Sequence, residues 1–253
     1  MISLDQIKEL ASKNKIDESV IAREFIQILF LNELYSYKFS RDIYFKGGTA
    51  IRLLYGGSRF SEDLDFTANL DLPVFESEIL KVFSDVESKY PIKCKAKKAL
   101  VGKSYLLTTT ILGFKTPVYV KLDFSFRESV IEPQNRIMET VYPIIVKNYI
   151  NSLSINEIIA EKVRAILTRK KMRDLYDLWV LIELGGKIDF NLIDKKLAYY
   201  REKFNKKEFI ERLTAFNEKE FIQDLKPFIR INERENLAKL FIYITDYIKK
   251  KFS

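Results

Sequence analysis

The chain has 253 residues, 47% of them apolar and 31% charged, with a formal net charge of +8 and no histidine at all. Without histidine, Ser-His-Asp triads, histidine general bases and His-ligated zinc are excluded, and the single cysteine, Cys94, excludes an intramolecular disulfide. Any metal site must then be built from oxygen ligands, which favour Mg²⁺, Mn²⁺ or Ca²⁺.

No run of about 18 apolar residues occurs, and the opening MISLDQIKELASKNK carries acids and no hydrophobic signal core. Neither a membrane span nor a secretory leader is expected, and a reducing cytoplasm suits the cysteine usage. The basic excess lies late in the chain, where residues 154–253 hold 22 Lys and Arg against 16 Asp and Glu. That balance suits nucleic acid or nucleotide phosphate, although lysine-rich proteins are often basic without a specific partner.

In chain order, the patterning predicts helices over 3–12 and 17–36, then a strand over 42–46 that ends in Gly47-Gly48. A short helix over 49–55 stops at Gly56-Gly57, a strand follows at 64–67, and a helix over 73–89 starts on proline. Three alternating runs, 92–100, 104–112 and 118–127, read as strands. Beyond about residue 150 the pattern is helical, over 155–169, 172–184, 190–202, 206–216 and 233–251. The expected fold class is therefore α+β. A domain over 1–150 has a mixed or antiparallel sheet, and a helical domain spans 151–253.

The chemistry centres on KGGTAIRLLYGGSRFSEDLDF, residues 46–66. On a strand, Asp63 and Asp65 share a face, and two such close anions call for a cation between them. A divalent metal answers that need, although D-x-D is also frequent on solvated strands. In VKLDFSF the core face holds Val120, Leu122, Phe124 and Phe126, and the other holds Lys121, Asp123 and Ser125. Should this strand lie beside the first, Asp123 adds a third carboxylate, enough for two ions in phosphoryl or nucleotidyl transfer. The alternative is an ion pair between Asp123 and a neighbouring base.

Gly47-Gly48 at a strand-to-helix turn lets a phosphate approach backbone amides, with the Thr49 hydroxyl nearby or capping the helix. Any tight turn would share that composition. Arg59 and Ser61, just before the acids, could reach phosphate or serve the turn. Lys121 is a further cation on the acid face. In the helix from Ile155, Lys162 interrupts an otherwise apolar stripe, while Asp177 interrupts an apolar run in the next helix one turn after Asp174. A buried lysine needs a partner, so one reading is a Lys162–Asp174 or Lys162–Asp177 pair joining the two helices. The other places Lys162 on a triphosphate with an aspartate orienting it or acting as base, and Arg173 either beside it or solvated.

An apolar residue, Gly-Gly-Thr, a short helix and Asp-apolar-Asp together resemble the nucleotide-binding motif of DNA polymerase β-like nucleotidyltransferases. FKGGTAIRLLYGGSRFSEDLDF, with KLDF and EKVRAILTRKKMRDLYDLW after it, looks like the AbiEii/AbiGii nucleotidyltransferase toxins of type IV toxin–antitoxin and phage-defence systems, over about residues 43–184. The resemblance implies a polymerase β-like domain and transfer of a nucleoside monophosphate from an NTP, with Mg²⁺ or Mn²⁺ as cofactor. It also implies an RNA acceptor such as a tRNA 3′ end, and a cognate antitoxin acting on the gene or the protein. It favours a functional role for Lys162 and for at least one of Asp174 and Asp177. A kinase on the same site and a non-catalytic nucleic-acid or partner-binding protein remain the alternatives.

Overall fold

The computed structural model describes residues 1–114 and 116–252. It divides into two compact units, residues 1–56 with 60–153 and residues 57–59 with 154–253.

The first unit opens with α1 (Leu4–Asn14), started by a reciprocal Ser3–Gln6 capping box, and α2 (Glu18–Leu34), capped by Asp17. Most of α2 is apolar around its whole circumference and buried, so it serves as a core helix. The strand β1 (Ile43–Lys46) runs straight into α3 (Gly47–Tyr55). Next come β2 (Leu64–Ala68), α4 (Leu72–Lys89) with Pro73 in its first turn, and the strands β3 (Ile92–Lys97), β4 (Lys103–Thr109) and β5 (Val118–Ser125). The strands β6 (Pro133–Arg136) and β7 (Ile150–Leu153) complete one seven-stranded sheet of order β3-β4-β5-β2-β1-β7-β6.

The sheet is mixed. β2 pairs with β5 in parallel and with β1 antiparallel, and β1 pairs with β7 in parallel. One face of its centre is a row of rings: Phe45 meets Phe66, and Phe66 stacks on Phe124 at 4.6 Å between centroids. Phe75 of α4 covers Phe124 from 4.8 Å. Two polar ties hold the helices. The Tyr35 hydroxyl donates to the carbonyls of Ile43 and Asn151, bracing β1 against β7. Glu24 of α2 is buried and bound by Arg52 of α3 and by the Tyr142 hydroxyl, while Arg52 lies over the Phe60 ring at 3.5 Å. This anchors the helix that carries the glycine pair. Cys94 in β3 is half-buried, and burial pushes its thiol up to about 12.

Several predicted boundaries need correction. The glycine pair forms the first turn of α3 rather than preceding it, and the N-cap is Lys46 without a side-chain cap bond, so Thr49 is not the cap. The strands β6 and β7 were not expected, since PQNR and INSL are too short to show alternation.

The second unit holds α5 (Ile155–Thr168), α6 (Met172–Glu183), α7 (Phe190–Ala198), α8 (Lys206–Thr214), α9 (Glu218–Leu225) and α10 (Leu237–Lys251). The predicted helix over 190–202 stops at Ala198, and Arg201 turns back in the left-handed region at φ 60. The helix α9 is additional to the predicted set, and α10 starts at Leu237 because 231–236 wind as a tighter 3₁₀ segment. Lys196 of α7 is 0% exposed and bonds Glu157 of α5, itself 0% exposed, at 2.5 Å, with Glu161 at 3.5 Å. No helix among the described residues is long and apolar enough to cross a membrane.

Removing one member of a buried ion pair strands the other charge in an apolar setting. Lys196→Ala is therefore expected to destabilise the second unit by about 3–5 kcal/mol. It should appear as a lower urea midpoint at unchanged slope, and the double variant Lys196→Met with Glu157→Gln should recover most of the loss.

Candidate active site

The register places the predicted acids in one transverse row. Lys46 of β1 opposes Asp65 of β2, Asp65 opposes Asp123 of β5, and Asp123 opposes Ser104 of β4. Paired positions share a face, so this row lies on the side of the sheet opposite Phe45, Phe66 and Phe124. Burial along β5 alternates as its sequence pattern requires, with Leu122 and Phe124 inside and Lys121 and Asp123 more open. Asp63 sits immediately before β2.

Gly47 is bound to this row by necessity. Its φ of +79 is left-handed, and a Cβ there would collide with Oδ2 of Asp65 and lie 3.1 Å from its Cγ. Only glycine lets the Asp65 carboxylate lie against the start of α3. The first amides of α3 have no side-chain cap, which is the local arrangement of an anion site at a helix N-terminus. Thr49 is 1% exposed and donates its hydroxyl to the Asp63 carbonyl at 2.5 Å, so it ties α3 to the acid segment. The carbonyls of Ser61 and Glu62 accept from Gln27 of α2 at 3.2 and 2.8 Å, which fixes the approach to the acids from behind.

The electrostatics of this row are strained. Burial, then the Asp65 and Glu62 charges, push the Asp63 carboxyl up from 3.8 to about 6, with Asp123 adding to the rise and Lys121 opposing it. Lys121 bonds Asp123 at 2.7 Å and is held above its ordinary value by Asp123, Asp63 and Asp65, while Ser104 donates to the other oxygen of Asp123. Both readings of Asp123 therefore meet in one place: it shares a face with Asp65 and pairs with a lysine. Among the described residues no three His, Cys, Asp or Glu side chains are gathered as a ready metal cage. The donors Asp63, Asp65 and Asp123 are nevertheless hard oxygens, and the part of the Asp63 rise that comes from neighbouring carboxylates, after burial, is repulsion that a divalent cation would relieve. The set fits Mg²⁺ or Mn²⁺.

The remaining sequence candidates gather in the second unit. Lys162 bonds Asp174 at 2.8 Å and Asp177 at 2.6 Å. Arg59 grips Asp177 through two nitrogens at 2.5 and 2.7 Å, and Arg169 bonds Asp174 at 2.8 Å. Burial opposes charge on every member, yet the opposite charges win: Asp174 and Asp177 are held below the usual carboxylate range and Lys162 above its own. Arg59, expected either to reach phosphate or to serve the turn, is bonded to Asp177 and buried. Arg173, expected beside the phosphate or solvated, bonds Asp224 at 3.0 Å and lies over the Phe228 ring. Sequence reasoning did not single out Lys46, Ser104 or Arg169. Lys46 and Ser104 were detectable only through strand register. Arg169 lies one residue past α5, where spacing alone gives it no face.

Comparison with known proteins places the chain in a family and a fold. An uncharacterized protein of Aquifex aeolicus (strain VF5) is 28% identical over 192 residues, covering 68% of this chain and 80% of its own. The crystal structure of JHP933 from Helicobacter pylori matches with a TM-score of 0.55 at 23% identity, covering 94% of both chains. MenT4, the nucleotidyltransferase toxin Rv2826c from Mycobacterium tuberculosis H37Rv, matches with a TM-score of 0.60 at 17% identity, covering 93% of this chain and 87% of its own. At these identities the two structures speak for the fold, a mixed sheet with a helical C-terminal region. The model of the AbiEii nucleotidyl transferase toxins of type IV toxin–antitoxin systems matches residues 29–243, well beyond the 43–184 stretch that carries the motifs, and the chain belongs to that family of nucleotidyltransferase toxins.

Proposed function

We propose that the protein moves a nucleoside monophosphate from an NTP to an RNA acceptor, a tRNA 3′ end, in a reaction that needs Mg²⁺ or Mn²⁺. In this reading the transfer arrests growth, serves phage defence and is countered by a cognate antitoxin. The observation that carries it is the row of Asp65 and Asp123 beside a glycine that can be nothing else, at the uncapped start of α3. The net charge of +8 suits an anionic acceptor.

Asp63, Asp65 and Asp123 would hold the metal, which when bound neutralises triphosphate charge and polarises the α-phosphate. Gly47 and Gly48 present backbone amides to the phosphates. Asp123, beside Lys121 and Ser104, takes the proton of the acceptor hydroxyl as its oxygen attacks the α-phosphorus. The α–β anhydride bond breaks and pyrophosphate leaves. Lys121 offsets charge on the phosphates once released from Asp123. Ser61 contacts phosphate through its hydroxyl in this reading. For Lys162, the tight pairing within its own unit supports the role of a tie between α5 and α6.

Incubation with α-labelled and γ-labelled NTPs tests the reaction class. Label from the α position on RNA is expected; label from the γ position alone would make the protein a kinase, and neither would make it a binding protein. Asp65→Ala should abolish transfer and growth inhibition with the circular dichroism spectrum unchanged. Lys162→Met should lower the melting temperature, and transfer measured below that temperature should survive; loss of transfer at retained fold would return Lys162 to the reaction.

The raised Asp63 makes a separate prediction with a defined sign. A carboxyl whose folded value is about 6 binds more protons folded than unfolded between about pH 4 and 6, so its charge costs stability above that window. In EDTA at pH 8, Asp63→Asn should melt above the unmodified protein, by about 2–4 °C for each kcal/mol relieved. The gap should close toward pH 4, while transfer is lost.

A further inference from the structure

We infer that the first unit carries a second nucleic-acid contact, a cleft for single-stranded RNA at the end of β1 away from Gly47. The inference deepens the proposed function, on which its choice of RNA over other polyanions rests. The cleft measures about 680 Å³, inside the roughly 300–1,000 Å³ of ordinary ligand sites. It is formed where the chain enters the parallel strands β1 and β7, whereas Gly47 lies where β1 ends.

Its lining combines the three chemistries that single-stranded nucleic acid requires. Lys38 and Arg41 are exposed cations with no acidic partner among the described residues. Tyr149 presents its ring at 62% exposure, and Tyr44 is half-buried on β1. Asn135 and Asn148 carry exposed side-chain amides without a hydrogen-bond partner among the described residues. Aromatic faces stack bases, amides read base edges, and cations meet the backbone phosphates.

The cleft is also braced from behind. Asn151, opposite Asn135 on the neighbouring strand, donates to the carbonyls of Ser40 and Arg41 at 3.4 and 2.8 Å. Tyr35 ties the same strands together through Ile43 and Asn151. The turn that bears Lys38 and Arg41 is thus pinned by its backbone while the charged side chains remain free. A protein partner of acidic character would use the cations but has no need of the rings and unpaired amides together, which favours RNA.

The test is fluorescence anisotropy of a labelled ten-nucleotide single-stranded RNA, without NTP or metal, against the full chain. Binding should weaken linearly in log–log form as salt rises. Tyr149→Ala should weaken it by at least about fivefold, the lower end expected for one lost stacked base. Lys38→Ala with Arg41→Ala should weaken it further and flatten the salt slope. All substituted side chains in the cleft are exposed, and thermal melts verify that each variant folds. Wild-type affinity in Tyr149→Ala and in the double variant overturns the inference, as does the absence of binding by the unmodified protein at low salt, the result an acidic protein partner would give. Normal transfer with unaffected RNA binding by the cleft variants sinks this inference alone. Cleft-dependent binding without any α-label transfer sinks the transferase reading alone.

Discussion

The stacking of Phe66 on Phe124, 11° from parallel, is the contact on which the site depends. Both rings face the core from adjacent parallel strands, and Phe75 closes over them from α4. Because side chains alternate along a strand, burying these two rings forces Asp65 and Asp123 onto the opposite face and into paired positions. A slip of one residue would bury the carboxylates and expose the rings, so the hydrophobic row sets the register with a large penalty for error. The chemistry on one face is thus specified by packing on the other.

Much of this was legible in the sequence because it is local or periodic. The alternation in VYVKLDFSF assigns Asp123 to the polar face, and the i, i+2 spacing does the same for Asp65, whereas Asp63 falls just before β2. The mixed sheet, the helical C-terminal region and the glycine turn follow from patterns a few residues long. What escaped depends on partners distant in sequence. Thr49 reads as a phosphate ligand or cap until the structure gives its hydroxyl to the Asp63 carbonyl. Arg59 reads as a phosphate contact or a turn residue until Asp177 takes it. The strands β6 and β7 have too few residues to declare themselves and exist because each completes its neighbours' hydrogen bonds.

The second unit shows a contrasting economy. Its helices bury two separate charge clusters, Lys196 with Glu157 and Glu161, and Lys162 with Asp174, Asp177 and the flanking arginines. Apolar residues of equal volume would often serve stability as well or better. What the clusters add is directionality: each lysine reaches carboxylates at defined positions on a neighbouring helix turn, so a rotated or shifted helix would leave charges unmatched. The depressed values of Asp174 and Asp177 mean that this contribution is complete above about pH 4 and fades only under stronger acid.

The bond from Thr49 to the Asp63 carbonyl has a mechanical corollary. Together with the contact between Gly47 and Asp65, it couples the amide-bearing end of α3 to the carboxylates at two points on either side of Leu64. A body held at two points cannot pivot as freely as one held at a single point. Thermal excursions of the helix end are therefore transmitted to the acids as a common displacement, and the separation between the first amides of α3 and the carboxylate oxygens fluctuates less than either does against the rest of the sheet.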